Sequence, residues 1–175
     1  MKGKEIIPTE ENLMIPADYI GPFLTSNGIA ILLIPVALLW PKVARILFGL
    51  IFTAAALFNG YTALTDASAY LMYGEVAVLP IYRDFIYGAF SQSTALFIFL
   101  IASGQLAVGV MLLIGTRLPL ALGTLGGIIF LTAIAPLGFG SAFPFSLFVI
   151  AALVIMYRRL NGWEGLRVQR KTSQA

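Results

Sequence analysis

The sequence predicts an all-α protein: a polytopic transmembrane helical bundle with four core helices and a fifth helix at the N-terminus. Hydrophobic residues make up 59% of the chain and charged residues 11%, and the mean hydropathy is +0.93. Ordinary soluble domains carry about 25% charged residues. The segment from Thr94 to Gly115 contains no charge at all. As a helix it would be about 33 Å long, which is enough to cross the hydrocarbon core of a bilayer.

The N-terminal part divides into a polar segment and an apolar one. Residues 1–22 hold three prolines among charged residues, which predicts an extended polar tail along the membrane surface. Residues 23–40 follow with an apolar run that is barely long enough to span and is interrupted by Pro35. Membrane helices tolerate such a proline where neighbours compensate for the lost hydrogen bond. Two interpretations stay open, a spanning helix and a re-entrant or interfacial segment.

Four longer apolar segments predict the core spans, at residues 43–62, 94–115, 118–138 and 142–157. Two of these spans carry small residues at helical spacing: Gly49, Thr53, Ala56 and Gly60 in the first, and Gly123 and Gly127 in the third. Small faces let membrane helices approach closely. We therefore expect these faces to attract helices of partner subunits.

The connection at residues 65–92 is the longest loop and is rich in tyrosine. Loops of this length without a function are uncommon. After Pro80, apolar residues recur every four positions at Ile81, Phe85 and Ala89. This spacing predicts a short interfacial helix on the outer side of the membrane.

Charge distribution predicts the orientation. With five spans, eight of the eleven Lys and Arg residues fall on the side of the C-terminus, and three fall on the other side. Cytoplasmic segments carry the excess of basic residues. We therefore predict a multi-pass protein of the inner (plasma) membrane of a bacterial cell, with the basic tail at residues 160–175 in the cytoplasm. The basic excess sits in that tail, so no nucleic-acid partner is expected.

The residue inventory narrows the chemistry. The chain has no cysteine and no histidine, which excludes disulfides, thiolate or imidazole metal sites, and haem held by His or Cys of this chain. Except for Arg45 near the start of span 43–62, no acid or base lies within a predicted span, whereas pumps and ion-coupled carriers usually place ionisable groups deep within their spans. We assign no catalytic and no metal-binding residues, and we do not expect the chain to act as an enzyme on its own.

A candidate ligand site lies at the outer end of the bundle. It is formed by polar and aromatic residues of the predicted spans 43–62 and 94–115 and of the long loop: Asn59, Tyr61, Tyr82, Arg83, Asp84 and Gln105. Asn59 and Gln105 would hydrogen-bond a ligand such as a quinone carbonyl, or alternatively would join neighbouring helices. Arg83 would bind a polar head group or a partner's carboxylate. The competing interpretation makes the loop a lid that only seals the bundle.

The order of these features resembles a known family. The segments ARILFGLIFTAAALFNGYTALTD (44–66), LPIYRDF (79–85) and FLIASGQLAVGVMLLIGTRLPLALG (99–123) are followed by a last apolar pair. In this order the chain resembles the DoxX-like family of small bacterial and archaeal membrane proteins from Ala44 to Arg159. The resemblance implies a four-helix core and a link to quinone-dependent thiosulfate oxidation or membrane redox assemblies. It implies no catalytic residues, and the cysteine pairs of some relatives of similar fold are not matched.

These observations support three expectations of function. The first is a non-catalytic structural or accessory subunit of a larger, redox-associated membrane assembly. The second is a quinone- or lipid-binding subunit of a quinone-dependent oxidoreductase, and the third is a passive small-molecule carrier. The expected partners are membrane lipids and other membrane protein subunits. No cofactor is expected on this chain except, under the second expectation, a quinone or a bound lipid.

Overall fold

A computed structural model of the chain describes residues 17–141 and 143–172, with the side chains of 17–19, 139–141 and 163–172 left out. The described residues contain no strand, so the predicted all-α class is confirmed. Their α-helices are α1 (Ala17–Leu39), α2 (Pro41–Thr65), α3 (Tyr73–Val76), α4 (Pro80–Phe85), α5 (Thr94–Ile114), α6 (Arg117–Ile134) and α7 (Phe145–Thr172).

Five of these helices, α1, α2, α5, α6 and α7, are long and apolar enough to cross a membrane. The predicted bundle of four core helices with a fifth at the N-terminus is therefore confirmed, and the chain is a multi-pass membrane protein. Residues 23–39 form one continuous part of α1, with Pro22 and Pro35 inside the helix. By length and composition this segment qualifies as a span, which favours the first of the two interpretations of this region.

Several predicted boundaries need correction. Helix α1 begins at Ala17, so residues 17–22 are helical rather than an extended tail. Apolar residues at Ile20, Phe23 and Leu24 continue the helical spacing of the span toward the N-terminus. Helix α7 begins at Phe145 instead of Ala142 and continues to Thr172, so most of the predicted basic tail is helical. Residues 1–16, 142 and 173–175 lie outside the described residues.

The tightest packing in the bundle joins α2 and α5. Gly109 of α5 lies against Gly49 and Thr53 of α2, and a Cβ built on Gly109 would stand 2.9 Å from the Gly49 carbonyl oxygen. Backbone atoms cannot give way as a flexible side chain can. The two helices therefore approach as closely as they do because position 109 has no side chain.

The other small residues are also used inside the chain. Gly123 packs against Leu112 at 3.1 Å from the would-be Cβ, and Gly127 packs against Phe52 and Leu153. Gly49, Gly123 and Gly127 are all buried. The prediction that these faces attract partner helices is wrong for these glycines, because helices of the same chain already occupy them. Gly60 alone of the predicted glycines has open space around it.

The two ends of the bundle differ. At one end, residues 66–93 connect α2 to α5 and fold back over the helix ends; we call this segment the cap. The cap builds a second small core, in which Ile86 and Phe90 pack against Ala63 and Ile98. The short helix predicted after Pro80 is confirmed as α4. The opposite end holds the α1–α2 turn, the α5–α6 turn and residues 157–161 of α7; we call it the basic end.

Candidate functional site

Asn59 and Gln105 meet between α2 and α5, beneath the cap. The Asn59 Nδ2 group donates to Gln105 Oε1 at 2.5 Å, and Gln105 is only 5% exposed. A third residue completes the cluster, because the Tyr70 hydroxyl of the cap donates to Asn59 Oδ1. The amide pair thus joins the two most closely packed helices, and Tyr70 joins the cap to them. We call Asn59, Gln105 and Tyr70 the amide cluster.

Tyr70 remains protonated far above neutral pH. Burial, and then the neighbouring Tyr73, raise the pKa of Tyr70 above its ordinary value of 10.0, while a hydrogen bond with Thr62 acts in the opposite direction. The two tyrosine rings lie 5.6 Å apart. Tyr70 is therefore a hydrogen-bond donor to Asn59 throughout the physiological range. Sequence reasoning missed this role, because a tyrosine in a long loop gives no signal of which helix it will reach.

Tyr82 serves the fold of the cap. Its hydroxyl donates to the carbonyl oxygen of Ala133 at 2.7 Å, in the last turn of α6, where helix carbonyls lack intrahelical partners. The Val78 backbone N–H adds a second bond, to the Pro136 carbonyl oxygen at 2.9 Å. Together these bonds fasten the cap to the end of α6.

The remaining predicted site residues lie on the surface. Tyr61 is two residues after Asn59, about 200° around the helix, and it is 65% exposed. Arg83 and Asp84 are exposed, and neither side chain makes an ion pair or hydrogen bond within the described part of the chain. The structure therefore brings Asn59 and Gln105 together, uses Tyr82 as a helix cap, and leaves Tyr61, Arg83 and Asp84 outside this cluster.

At the basic end, Arg45 closes the C-terminus of α5. Its Nη1 group donates to the carbonyl oxygens of Leu112 at 2.6 Å and Leu113 at 2.7 Å. Gly115, with φ at 66°, ends the helix in the left-handed conformation and leaves room for the guanidinium. Arg45 lies three and seven residues before the buried Phe48 and Phe52. That spacing placed Arg45 on the buried stripe of α2, a signal that sequence reasoning did not use.

A second arginine caps α1 at the same end. Arg159 of α7 donates from Nε and Nη2 to the Leu38 carbonyl oxygen, at 3.1 and 2.9 Å. A cavity of about 670 Å³ lies between the C-termini of α1 and α5, and it is lined in part by Lys42, Arg45 and Arg117. The sequence analysis predicted neither a site role for Arg117 nor the cavity itself. It depends on side chains from three separate segments, whose proximity the sequence does not encode locally.

The amide and hydroxyl groups of the amide cluster suit a ligand with carbonyl oxygens, and the cations of the basic end suit an anion. Among the described residues, no three His, Cys, Asp or Glu side chains lie close enough together to hold a metal ion. Comparison of the chain with protein-family models, with curated proteins and with solved structures finds no match. The resemblance to the DoxX-like family therefore stays a prediction, and the functional argument rests on the geometry.

Proposed function

We propose that the chain is a non-catalytic structural or accessory subunit of a larger membrane assembly, and that it docks to its partner through the cap. The observation that carries this proposal is the exposed apolar surface of the cap. Val78 and Ile81 are each 70% exposed, and Phe85 and Tyr87 are 44% and 49% exposed. These residues lie outside the spanning helices, so their exposure is not that of the lipid-facing side of a span.

The cap is also held in place, which suits a docking surface. Tyr82 and Val78 bond to the end of α6, and the Tyr87 ring lies against Gly74, 2.7 Å from a would-be Cβ. Phe85 meets Phe97 of α5 edge to face, with the ring centroids 5.5 Å apart. A surface fixed in this way loses little conformational entropy when a partner binds.

The chemistry of the exposed surface fits a protein partner. Aromatic residues and arginine are enriched in the buried centres of protein interfaces, and exposed apolar patches mark interaction sites. The cap offers Phe85 and Tyr87 beside Arg83 and Asp84, which have no partner within the described residues. Arg83 would pair with a carboxylate of the partner. The resemblance to the DoxX-like family adds that the assembly is redox-associated.

Purification of the tagged chain from its host membrane in a mild detergent tests the proposal. The unaltered protein should carry at least one further membrane or membrane-associated protein. The double variant Ile81→Asn with Arg83→Gln should lose that protein while keeping its helical content. Arg158→Gln is the matched control, since it removes one exposed cation at the opposite end. A chain that purifies alone, or a double variant that keeps its partner, would refute the proposal.

A quinone-binding role is the second candidate, and it is favoured by unused donors in the amide cluster. Asn59 Nδ2 has a second hydrogen, and Gln105 Nε2 makes no hydrogen bond within the described residues. N–H donors within an apolar bundle suit the carbonyl oxygen of a quinone. Organic extraction of the purified chain should then yield quinone, and Gln105→Leu should abolish it. Thr132→Val is the control, because the Thr132 hydroxyl only bonds its own helix. Absence of quinone from the unaltered protein would exclude this role.

The orientation belongs to the same proposal. The described charges at the basic end are all cationic (Lys42, Arg45, Arg117, Arg158 and Arg159), whereas the cap holds Asp66, Glu75 and Asp84 with Arg83 alone. This distribution supports a cytoplasmic basic end and C-terminus in a bacterial inner membrane. The chain has no native cysteine, so single cysteines at Ser68 and Thr116 can be labelled selectively in intact cells. An impermeant reagent should reach Ser68→Cys only, and labelling of both positions would contradict this layout.

A further inference from the structure

The cavity at the basic end is bounded by the ends of the spanning helices. The α1–α2 turn, the start of α6 and residues 160–161 of α7 enclose about 670 Å³, which is within the range of small-molecule sites. The cavity lies at the termini of helices long and apolar enough to span a membrane, where lipid head groups would be found. The cap and the amide cluster lie at the other end of the bundle.

The lining carries unpaired positive charge. Lys42 and Arg117 are exposed, and neither side chain makes an ion pair or hydrogen bond with the described residues. Arg45 uses only Nη1 for the α5 carbonyls, so its Nε and Nη2 donors remain available. None of the described residues that line the cavity is acidic. Three cations that face one space without a counter-ion repel each other, and an anion placed between them would relieve that repulsion.

The other part of the lining is apolar. Leu39, Trp40, Val43, Leu120 and Leu160 complete most of the wall. Free phosphate has no apolar part that could pack against such a surface, whereas a lipid presents both a charged head group and an acyl chain. Basic pockets between transmembrane helices on the cytoplasmic side bind anionic lipid head groups. Arginine and lysine both bind phosphate oxygens, and arginine does so with directed N–H donors.

We propose that this cavity is a binding site for an anionic phospholipid. Lys42, Arg45 and Arg117 hold the phosphate, and the first part of an acyl chain packs against Trp40 and Leu120. The site is independent of the cap and of the partner proposed above. Arg45 links the bound lipid to the C-terminus of α5, so the lipid stabilises the two turns that form the basic end.

Native mass spectrometry of the full chain in a neutral detergent tests the site. Dioleoyl phosphatidylglycerol should bind as one preferred copy, and dioleoyl phosphatidylcholine should bind at least about tenfold more weakly. The double variant Lys42→Gln with Arg117→Gln should weaken binding of the anionic lipid by about 25-fold, at about fivefold per cation from roughly 1 kcal/mol each. Arg158→Gln removes one exposed cation at the same end, and Arg158 does not line the cavity. In neutral detergent it should bind the lipid as the unaltered chain does.

Two further arms identify the source of the anion. Sodium phosphate at millimolar concentration should not raise the thermal stability of the chain, whereas phosphatidylglycerol should raise that of the unaltered chain and of Arg158→Gln. The side chains of Lys42 and Arg117 are exposed and make no hydrogen bond or ion pair with the described residues, so the double variant should fold without the lipid and show no such rise. Equal binding of the two lipids, or equal binding by the double variant and Arg158→Gln, would overturn the proposal. Stabilisation by phosphate alone, with no gain from the lipid, would also overturn it.

Discussion

The two ends of the bundle satisfy the same physical requirement by different means. Helix carbonyls at a C-terminus need donors. At the capped end, Tyr82 and the Val78 backbone supply them to α6 and the segment after it. At the basic end, Arg45 and Arg159 supply them to α5 and α1.

Capping by neutral groups leaves no charge behind, whereas capping by arginine brings cations into a turn that already contains Lys42 and Arg117. The end of the bundle that carries the cap is closed by packed aromatic rings. The basic end keeps a cavity with surplus positive charge. The comparison teaches that one end presents a finished surface suited to a protein, and the other presents an unfilled site suited to an anion.

The largest effect should come from breaking the helix pair that connects both ends. Gly109→Ala would place a methyl group against Gly49 and Thr53 backbone atoms. Overpacking of this kind costs about 1–3 kcal/mol, and we expect the upper part of that range because backbone cannot yield. Unfolding in detergent, followed by circular dichroism, measures the loss. Gly104→Ala, on the same helix with open space around it, should be neutral or slightly stabilising. Equal stability of the two variants would show that α2 and α5 are not in close contact.

The next effect separates the two uses of positive charge at the basic end. Arg45→Ala removes two hydrogen bonds to the α5 carbonyls, which should lower stability by about 2 kcal/mol after allowance for hydration of the freed groups. Lys42→Ala removes the same charge from the same cavity but no hydrogen bond, and it should cost less than about 0.5 kcal/mol. The same detergent unfolding measures both. If Lys42→Ala costs as much, then charge and not capping stabilises this end.

A smaller effect is expected at the capped end. Asn59→Leu breaks the bonds to Gln105 and Tyr70, and hydrogen bonds between membrane helices contribute about 0.6–2 kcal/mol. We expect a loss of about 1 kcal/mol. A double-mutant cycle with Gln105→Leu should show coupling, so that the second substitution costs less once the first is made. Strict additivity would mean that the two amides do not stabilise each other.

The smallest effect is the loss of the stability that Tyr70 contributes. It is absent at neutral pH and appears only at alkaline pH. The folded-state pKa of Tyr70 is raised above the unfolded value of 10.0. The stability that neutral Tyr70 contributes is therefore fully present below pH 10.0 and is lost as pH rises through the folded-state pKa. Titration of phenolate absorbance should show a late step from Tyr70, and Tyr70→Phe should remove it. An unchanged titration curve would place the raised pKa elsewhere.

The sequence predicted those features that depend on local pattern. Uncharged runs such as 94–115 predicted the spans, and Pro80 with its spaced apolar residues predicted α4. The use of the glycines was not predictable in the same way, because a small face shows only that something packs there. Whether a helix of the same chain or a partner occupies it depends on helix order in space. Gly123 and Gly127 belong to the first case.

The candidate site shows the same division. Asn59 and Gln105 were predictable as hydrogen-bonded amides, because polar residues within spans seek partners. Tyr61, two residues from Asn59, faces away because of helix periodicity. The basic-end cavity depends on contacts between segments far apart in the chain. The contact of Tyr70 with Asn59 depends on how the cap folds back over α2. Arg45 is the instructive exception, because its position on the buried stripe of α2 was visible in the sequence.

One purification tests most directly whether the two ends serve different partners. The unaltered chain, the cap variant Ile81→Asn with Arg83→Gln, and the basic-end variant Lys42→Gln with Arg117→Gln are isolated from host membranes in the same mild detergent. Co-purified protein and bound phospholipid are then quantified together. The cap variant should lose the protein and keep the lipid, and the basic-end variant should lose the lipid and keep the protein. Loss of both from either variant, or of neither from both, would contradict the assignment of separate roles to the two ends.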